Sequence, residues 1–295
     1  MFQKTEITIV SAANEEFVPH LATLFLSLLQ KKKSESIFNF YVIDDNISLI
    51  TKEKLNRMVN EYDATVSYLQ IDPLEFEDMV ESDRIPTTAY FRIAIPNFLK
   101  RTDIHRAIYL DCDIVAVQPI EDIWSIDLGD KLVAAIEDAG FHQRLDVMEI
   151  DVKSNTYFNS GVMIIDLDKW RAEKITEQVL NFASTNQENL RFHDQDALNA
   201  ILHDRWLVLH PKWNAQAYIL LDEKEHPTKI GQIEYAESRN EPALIHYSGH
   251  IKPWHKESSH PYRENYLSIR KQTPFPIEKF ELVDENRVRC RYRNL

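Results

Sequence analysis

Residues 109–117 read YLDCDIVAV, two aspartates inside an otherwise apolar run. Ionised carboxylates are expensive to bury unless something pairs with them, so Asp111 and Asp113 need a reason to be there. In extended chain, positions i and i+2 point to one side, which aims the two carboxylates together and turns Cys112 away. Like charges held that close favour a cation between them. The plain alternative is a pair of solvated caps, since Asp is common where strands give way to turns.

The flanking sequence says what kind of strand this is. RAIYL (106–110) is a β-rich run leading into Asp111, and ITIV (7–10), IFNFYVI (37–43) and TVSYLQI (65–71) read as earlier buried strands. Between them lies FVPHLATLFLSLLQKKK, whose Leu21, Leu24, Phe25, Leu28 and Leu29 share one helical face. Its lysines 31–33 suit a helix C-terminus, and a second helix is expected near 51–62. Strand–helix alternation is the grammar of a parallel sheet with right-handed crossovers. Such sheets bind ligands at the carboxyl ends of their strands. Thr87 and Thr88 are expected to cap a short helix, AYFRIAI, that Pro96 ends or kinks. LVAAIED (132–138), VMIIDL (162–167), WLVLH (206–210) and ALIHY (243–247) continue the strands. One helix is expected over about 168–184 and another from HDQDALNAIL (193–202); beyond about residue 255 the pattern weakens.

With 34 Lys plus Arg against 47 Asp plus Glu, the formal charge of -13 argues against binding nucleic-acid backbones. The same charge makes phosphate ligands awkward unless a cation or a local basic group intervenes. Two cysteines, Cys112 and Cys290, make no disulfide framework. The sequence has no secretory signal pattern and no run approaching the roughly 18–20 apolar residues of a membrane span, so a cytoplasmic protein is expected.

Five blocks in order, IVSAAN (9–14), YLDCD (109–113), YFNSGVMIIDLDKW (157–170), HDQDALNAIL (193–202) and HYSGHIKPW (246–254), carry a resemblance. They resemble the retaining glycosyltransferases of family eight, the group of bacterial lipopolysaccharide galactosyl- and glucosyltransferases and glycogenin, and most of all its general-stress-protein-A-like branch. The resemblance implies the glycosyltransferase-A fold: α/β, Rossmann-like, with a mixed, mostly parallel sheet flanked by helices. Residues 1–255 would form the nucleotide-sugar-binding catalytic domain and 256–295 a C-terminal extension. It implies Mn2+, with Mg2+ as the alternative, a UDP-galactose or UDP-glucose donor, and a carbohydrate or glycoconjugate acceptor.

Residue by residue, the resemblance makes Asp111, Asp113 and His246 the metal ligands; alone, His246 would read as a packed strand-end histidine. Gly249 and Lys252 would face the diphosphate, the lysine adding fixed positive charge. Ala12, Ala13 and Asn14 would hold the uridine. The family's usual residue at Asn14 is Asp, and Glu15-Glu16-Phe17 also departs from its commoner pattern. Arg92, Cys112 and Asn159 join the nucleotide-sugar set. Asp194 and Gln195 would lie against the donor sugar as the catalytic pair. Locally read, Asp194 is a helix cap and Asn159-Ser160-Gly161 a turn. An amide is a poor nucleophile, so Gln195 favours a front-face route over double displacement.

Two other functions fit parts of the sequence. DCDIV resembles the opening motif of haloacid-dehalogenase-like phosphohydrolases, with Asp111 as nucleophile, and the 12 tyrosines admit a self-glucosylating or non-catalytic protein of glycogenin type. The tail RVRCRYR reads as an edge strand with a charged face or as a peripheral contact to an anionic membrane.

Overall fold

Along each central strand, neighbouring apolar residues go to different hydrophobic clusters, and this alternation defines the layers. In β1 (Thr5–Asn14) Ile7 and Ile9 join one cluster and Val10 the other. In β2 (Ser36–Asp45) Phe38, Phe40 and Val42 oppose Tyr41 and Ile43. In β4 (Arg106–Leu110) Ile108 and Leu110 oppose Ala107 and Tyr109. A sheet that is apolar on both faces needs helices on both. Helices α1 (Val18–Lys31) and α2 (Leu49–Val59) bring Leu21, Phe25, Leu28, Leu55 and Val59 to the first face. Helices α3 (Leu167–Ala172), α4 (Ile175–Thr185) and α5 (Asp194–Leu202) bring Trp170, Val179 and Leu198 to the second. Each fully buried side chain of this size contributes about 1.5–3 kcal/mol.

The computed structural model describes residues 4–70, 91–99, 103–152 and 156–283. Its main sheet also contains β3 (Ala64–Gln70), β6 (Val133–Glu137), β7 (Phe158–Asp166) and β8 (Trp206–Val208), in the order β3-β2-β1-β4-β7-β6-β8. The β1–β2, β2–β3, β1–β4 and β6–β8 pairs are parallel, while β7 runs antiparallel to both β4 and β6. A small second sheet has the order β5-β10-β9, from β5 (Ile114–Ala116), β9 (Ala215–Gln216) and β10 (Leu244–His246). Helix α6 (Lys229–Asn240) is capped by Thr228, whose side chain accepts from Gly231 N–H. Helix α7 (Arg263–Arg270) reaches back to α1, where the Tyr266 hydroxyl lies 2.6 Å from His20 Nδ1.

Several local expectations change. Asp111–Asp113 is a turn and not continuous strand: β4 ends at Leu110 in one sheet and β5 begins at Ile114 in the other. The helix expected over 168–184 is two, α3 and α4, divided at Lys174, whose φ of 53° is left-handed. Pro96 opens the one-turn helix Ile95–Phe98 instead of ending a longer one. This is where a proline's missing N–H costs least. Asn159-Ser160-Gly161 lies within β7 and is no turn. The expected cap at Thr87 or Thr88 and the tail RVRCRYR lie outside the described residues.

Candidate active site

The site forms where the two sheets meet. β10 runs antiparallel to β5 with His246 opposite Ile114, and Tyr247 N–H donates to the Asp113 carbonyl at 3.0 Å. This register, and not strand alternation, gathers the three expected ligands. His246 Nε2 is 3.2 Å from Asp113 Oδ1 and 4.0 Å from Asp111 Oδ2, and ligand atoms from all three lie within 4.8 Å of one another. Two carboxylates and an imidazole suit a divalent first-row ion such as Mn2+. Gly161 of β7 tightens the cradle. A Cβ there would stand 2.5 Å from His246 Cε1 and 2.8 Å from Asp111 Oδ2, so the strand comes as near as only a glycine allows. The residues present fit the metal.

Charge is balanced on both sides of the three. Burial pushes the Asp113 carboxyl up, but Lys252, with Nζ 2.6 Å from Oδ2, more than reverses it, and His246 adds to that pull only in its charged form. Asp113 is therefore held well below the usual carboxylate range. Opposite, Arg92 stands 3.2 Å from Asp111 Oδ1 and 2.9 Å from Asp194 Oδ2. It also donates to the Ser160 carbonyl and hydroxyl at 3.1 and 2.9 Å. Burial raises the Asp194 carboxyl to about 6 against the pull of Arg92. Asp194 is not the cap of α5: His193 holds that position, with no side-chain capping bond.

Gln195 is held at both ends of its amide. Its Oε1 accepts from Ser160 N–H at 3.0 Å, and its Nε2 donates to Asp138 Oδ2 at 3.0 Å and to the Tyr157 hydroxyl at 3.1 Å. Asn159 Nδ2 donates to the same Asp138 oxygen at 3.0 Å.

Of the residues expected from sequence, Asp111, Asp113, Asn159, Gln195, His246 and Gly249 line one cavity of about 460 Å³. Arg92, Asp194 and Lys252 join it through the ion pairs above. Gly249 has no packing need to be glycine, since a Cβ would only touch Ala217 Cβ at 3.5 Å. Ala12, Ala13 and Asn14 form the end of β1, and Asn14 Oδ1 accepts from Phe17 N–H at 3.1 Å. Glu15 is occupied elsewhere: its carboxylate takes Ser48 N–H and the Thr51 hydroxyl, binding the β1 loop to the start of α2. The Cys112 thiol is buried and donates to the Ala12 carbonyl at 3.1 Å, away from the cavity lining.

Sequence reading missed Asp138 and Asn214. Asp138 follows the apolar β6 as Asp111 follows β4, the one signal that pointed to it. Asn214 Oδ1 lies 2.7 Å from His246 Nδ1, and nothing in PKWNAQ announces it.

A second group, Glu137, His142 and His226, brings ligand atoms equally close together. Thr228 N–H donates to His226 Nδ1 at 3.0 Å. A backbone N–H only donates, so the proton sits on Nε2, which donates to Glu137 Oε2 at 2.8 Å. Both ring nitrogens are thereby used, and the group fits a hydrogen-bonded clasp and not a metal.

A mostly parallel sheet with strand-end aspartates, met by a histidine from a small second sheet, has the architecture of a glycosyltransferase-A enzyme. The chain belongs to glycosyl transferase family 8, whose sequence pattern it matches over residues 8–258. It is 42% identical over 274 residues to General stress protein A of Bacillus subtilis (strain 168), covering 92% of this chain and 96% of that protein. It is 25% identical over 267 residues to a lipopolysaccharide 1,2-glucosyltransferase of Escherichia coli, covering 89% and 77%. The solved structure of the galactosyltransferase LgtC in complex with donor and acceptor sugar analogs matches with a TM-score of 0.79 at 21% identity, covering 92% and 98%. Family and fold are those the five blocks implied, and the chain is a transferase. Among the described residues no helix is long and apolar enough to cross a membrane.

Proposed function

We propose that the protein transfers galactose or glucose from a UDP-sugar, with retention, to a hydroxyl of a carbohydrate or glycoconjugate acceptor, using a divalent metal. The observation that carries this is the meeting of Asp111, Asp113 and His246 in the cavity that also holds Asn159 and Gln195. Asp111, Asp113 and His246 would hold Mn2+ or Mg2+. When bound, such an ion supplies Lewis-acid stabilisation of the departing diphosphate. Lys252 adds fixed positive charge on the diphosphate side, while Ala12, Ala13 and the backbone of Cys112 border the nucleoside. Asn14, its oxygen engaged by Phe17, offers its amide N–H to a uracil carbonyl. Arg92 holds Asp194 beside the sugar, and Gly249 and Asn159 complete the donor site.

The reacting face supports a front-face route. Double displacement needs a carboxylate nucleophile, whereas Gln195 is an amide with both ends engaged. Gln195 and Asp194 would position the donor hexose while the acceptor hydroxyl enters from the leaving-group side. The boundary near residue 255 and a cytoplasmic location belong to the same proposal.

UDP release from UDP-glucose and UDP-galactose, with and without Mn2+, tests it. Metal-dependent release from at least one donor is expected; neither binding nor turnover of any UDP-hexose would reject the reading.

A further inference from the structure

The direction of each hydrogen bond between β7 and His246 is fixed by groups with only one role to play. Gly161 N–H can only donate, and it meets Asn159 Oδ1 at 3.1 Å. The other end of that amide faces the Asp138 carboxylate at 3.0 Å, which receives Nδ2. Asn159 Oδ1 accepts a second bond, from Asn214 Nδ2 at 2.9 Å. That leaves Asn214 Oδ1 as the atom facing His246 Nδ1 at 2.7 Å. An amide oxygen has no proton to give, so Nδ1 carries a proton, and in the neutral ring Nε2 is bare. The bare nitrogen points at the aspartates, 3.2 Å from Asp113 Oδ1. Two lone pairs at that distance repel unless a cation lies between them.

We propose that Asn214 is a positioning residue that locks His246 in the tautomer able to ligate through Nε2. It is the last link of a relay running Asp138–Asn159–Asn214–His246. The relay is anchored at the carboxylate that also holds Gln195, so one hydrogen-bond chain joins the sugar wall to the metal ligands. Only an amide makes both bonds of this position. It must accept from the imidazole and donate to Asn159 at once; a carboxylate does the first alone, and an aliphatic side chain does neither. Asn214 is fully buried, so water does not substitute freely. The proposal rests on the metal reading of Asp111, Asp113 and His246 given above.

Two measurements on folded protein test it. Long-range 1H–15N spectra of histidine-labelled, metal-free chain report the tautomer, with the His246 signals assigned through His246→Gln. Wild type is expected to carry the proton on Nδ1. Asn214→Leu is expected to shift it toward Nε2–H, where Asp113 accepts it. Mn2+ titration followed by electron paramagnetic resonance is expected to show about 10- to 100-fold weaker binding in Asn214→Leu, the usual scale for an outer-shell partner. Asn214→Asp, which keeps the acceptor for Nδ1–H, should recover most of that affinity; a merely structural role would not be rescued this way. An Nε2–H tautomer in wild type overturns the proposal even if Asn214→Leu does not fold, and so does Mn2+ affinity in Asn214→Leu within twofold of wild type. Asp113→Asn separates the two levels. If it abolishes Mn2+ binding while Asn214→Leu does not weaken it, Asn214 alone is misassigned; if it changes nothing, the metal reading falls and this proposal with it.

Discussion

At the junction of the sheets His246 faces Asp113 Oδ1 across 3.2 Å, and at the end of β6 His226 faces Glu137 Oε2 across 2.8 Å. Each pair has a third ligand-type residue beside it, Asp111 in one and His142 in the other, and by spacing alone the two are equivalent. What separates them is the partner of the far ring nitrogen. His226 Nδ1 receives a backbone N–H from Thr228, which forces the proton onto the nitrogen facing the carboxylate. His246 Nδ1 meets the Asn214 oxygen, which draws the proton away from the carboxylates. One histidine closes its pair with a proton, while the other leaves a gap that a metal suits. A histidine's role is decided on the side of the ring turned away from its carboxylate.

The largest effect should come from treating the two carboxylates alike. Asp113→Asn removes one ligand of a three-residue set and is expected to weaken Mn2+ binding by more than about 100-fold. Turnover should fall by about 10³, since metal stabilisation of a leaving group is worth several kcal/mol. Glu137→Gln should leave Mn2+ affinity within about twofold, because an amide oxygen still accepts from His226 Nε2–H. Calorimetric Mn2+ titration of both variants decides the matter, and similar losses in both would erase the distinction.

The layered core was legible because burial on both faces turns a strand into a nearly continuous apolar run, as with Ile7, Ile9 and Val10 in β1. Asp111 and Asp113 were legible as charges out of place. Their mechanism of convergence was not: a turn hands the chain from one sheet to the other, and the β5–β10 register brings in His246 from more than a hundred residues away. No local pattern encodes that pairing, and only the ordered family blocks pointed to His246. The break between α3 and α4 was hidden because Lys174 is neither glycine nor proline, yet adopts a left-handed conformation. The neighbouring turns are fixed by tertiary contacts, such as Trp170 Nε1–H donating to Thr176 at 3.0 Å and the Thr176 hydroxyl donating to the Ile93 carbonyl at 2.9 Å. Asn214 was invisible for the same reason: its meaning lies in two partners, Asn159 and His246, that are distant in sequence.

A smaller effect sharpens the contrast from the clasp side. Gly231, in the first turn of α6, lies so close to His226 that a Cβ would stand 2.0 Å from Nδ1 and 2.2 Å from Cγ. Gly231→Ala must displace the ring and break its bonds to Glu137 and Thr228. The expected loss is about 1–3 kcal/mol in urea unfolding, the usual range for overpacking, despite a helix-propensity gain of up to about 1 kcal/mol. Mn2+ affinity should not move. A stabilised variant would mean that the ring yields at no cost and that the clasp is loose.

The smallest effect is a pH slope. Burial lowers the His142 pKa below its usual 6.5, with His226 adding to the shift and Glu137 opposing it. Because the folded value lies below the unfolded one, the unfolded chain binds more protons in the interval between them. Stability therefore rises with pH across that interval. The contribution is fully present above about 6.5 and is lost as pH falls through the lower folded value. His142→Gln removes this term, so its urea-unfolding free energy should vary less steeply than wild type between pH 5 and 7, by no more than about 1 kcal/mol over the window. His20 and His260, lowered to about 3 and about 4 by burial, add slopes of the same sign. Only the difference between wild type and variant therefore isolates His142. A variant slope as steep as wild type would show that the His142 pKa is not lowered, and a steeper one that Glu137 holds His142 charged, making the clasp an ion pair and not the neutral hydrogen-bonded contrast to the metal cradle.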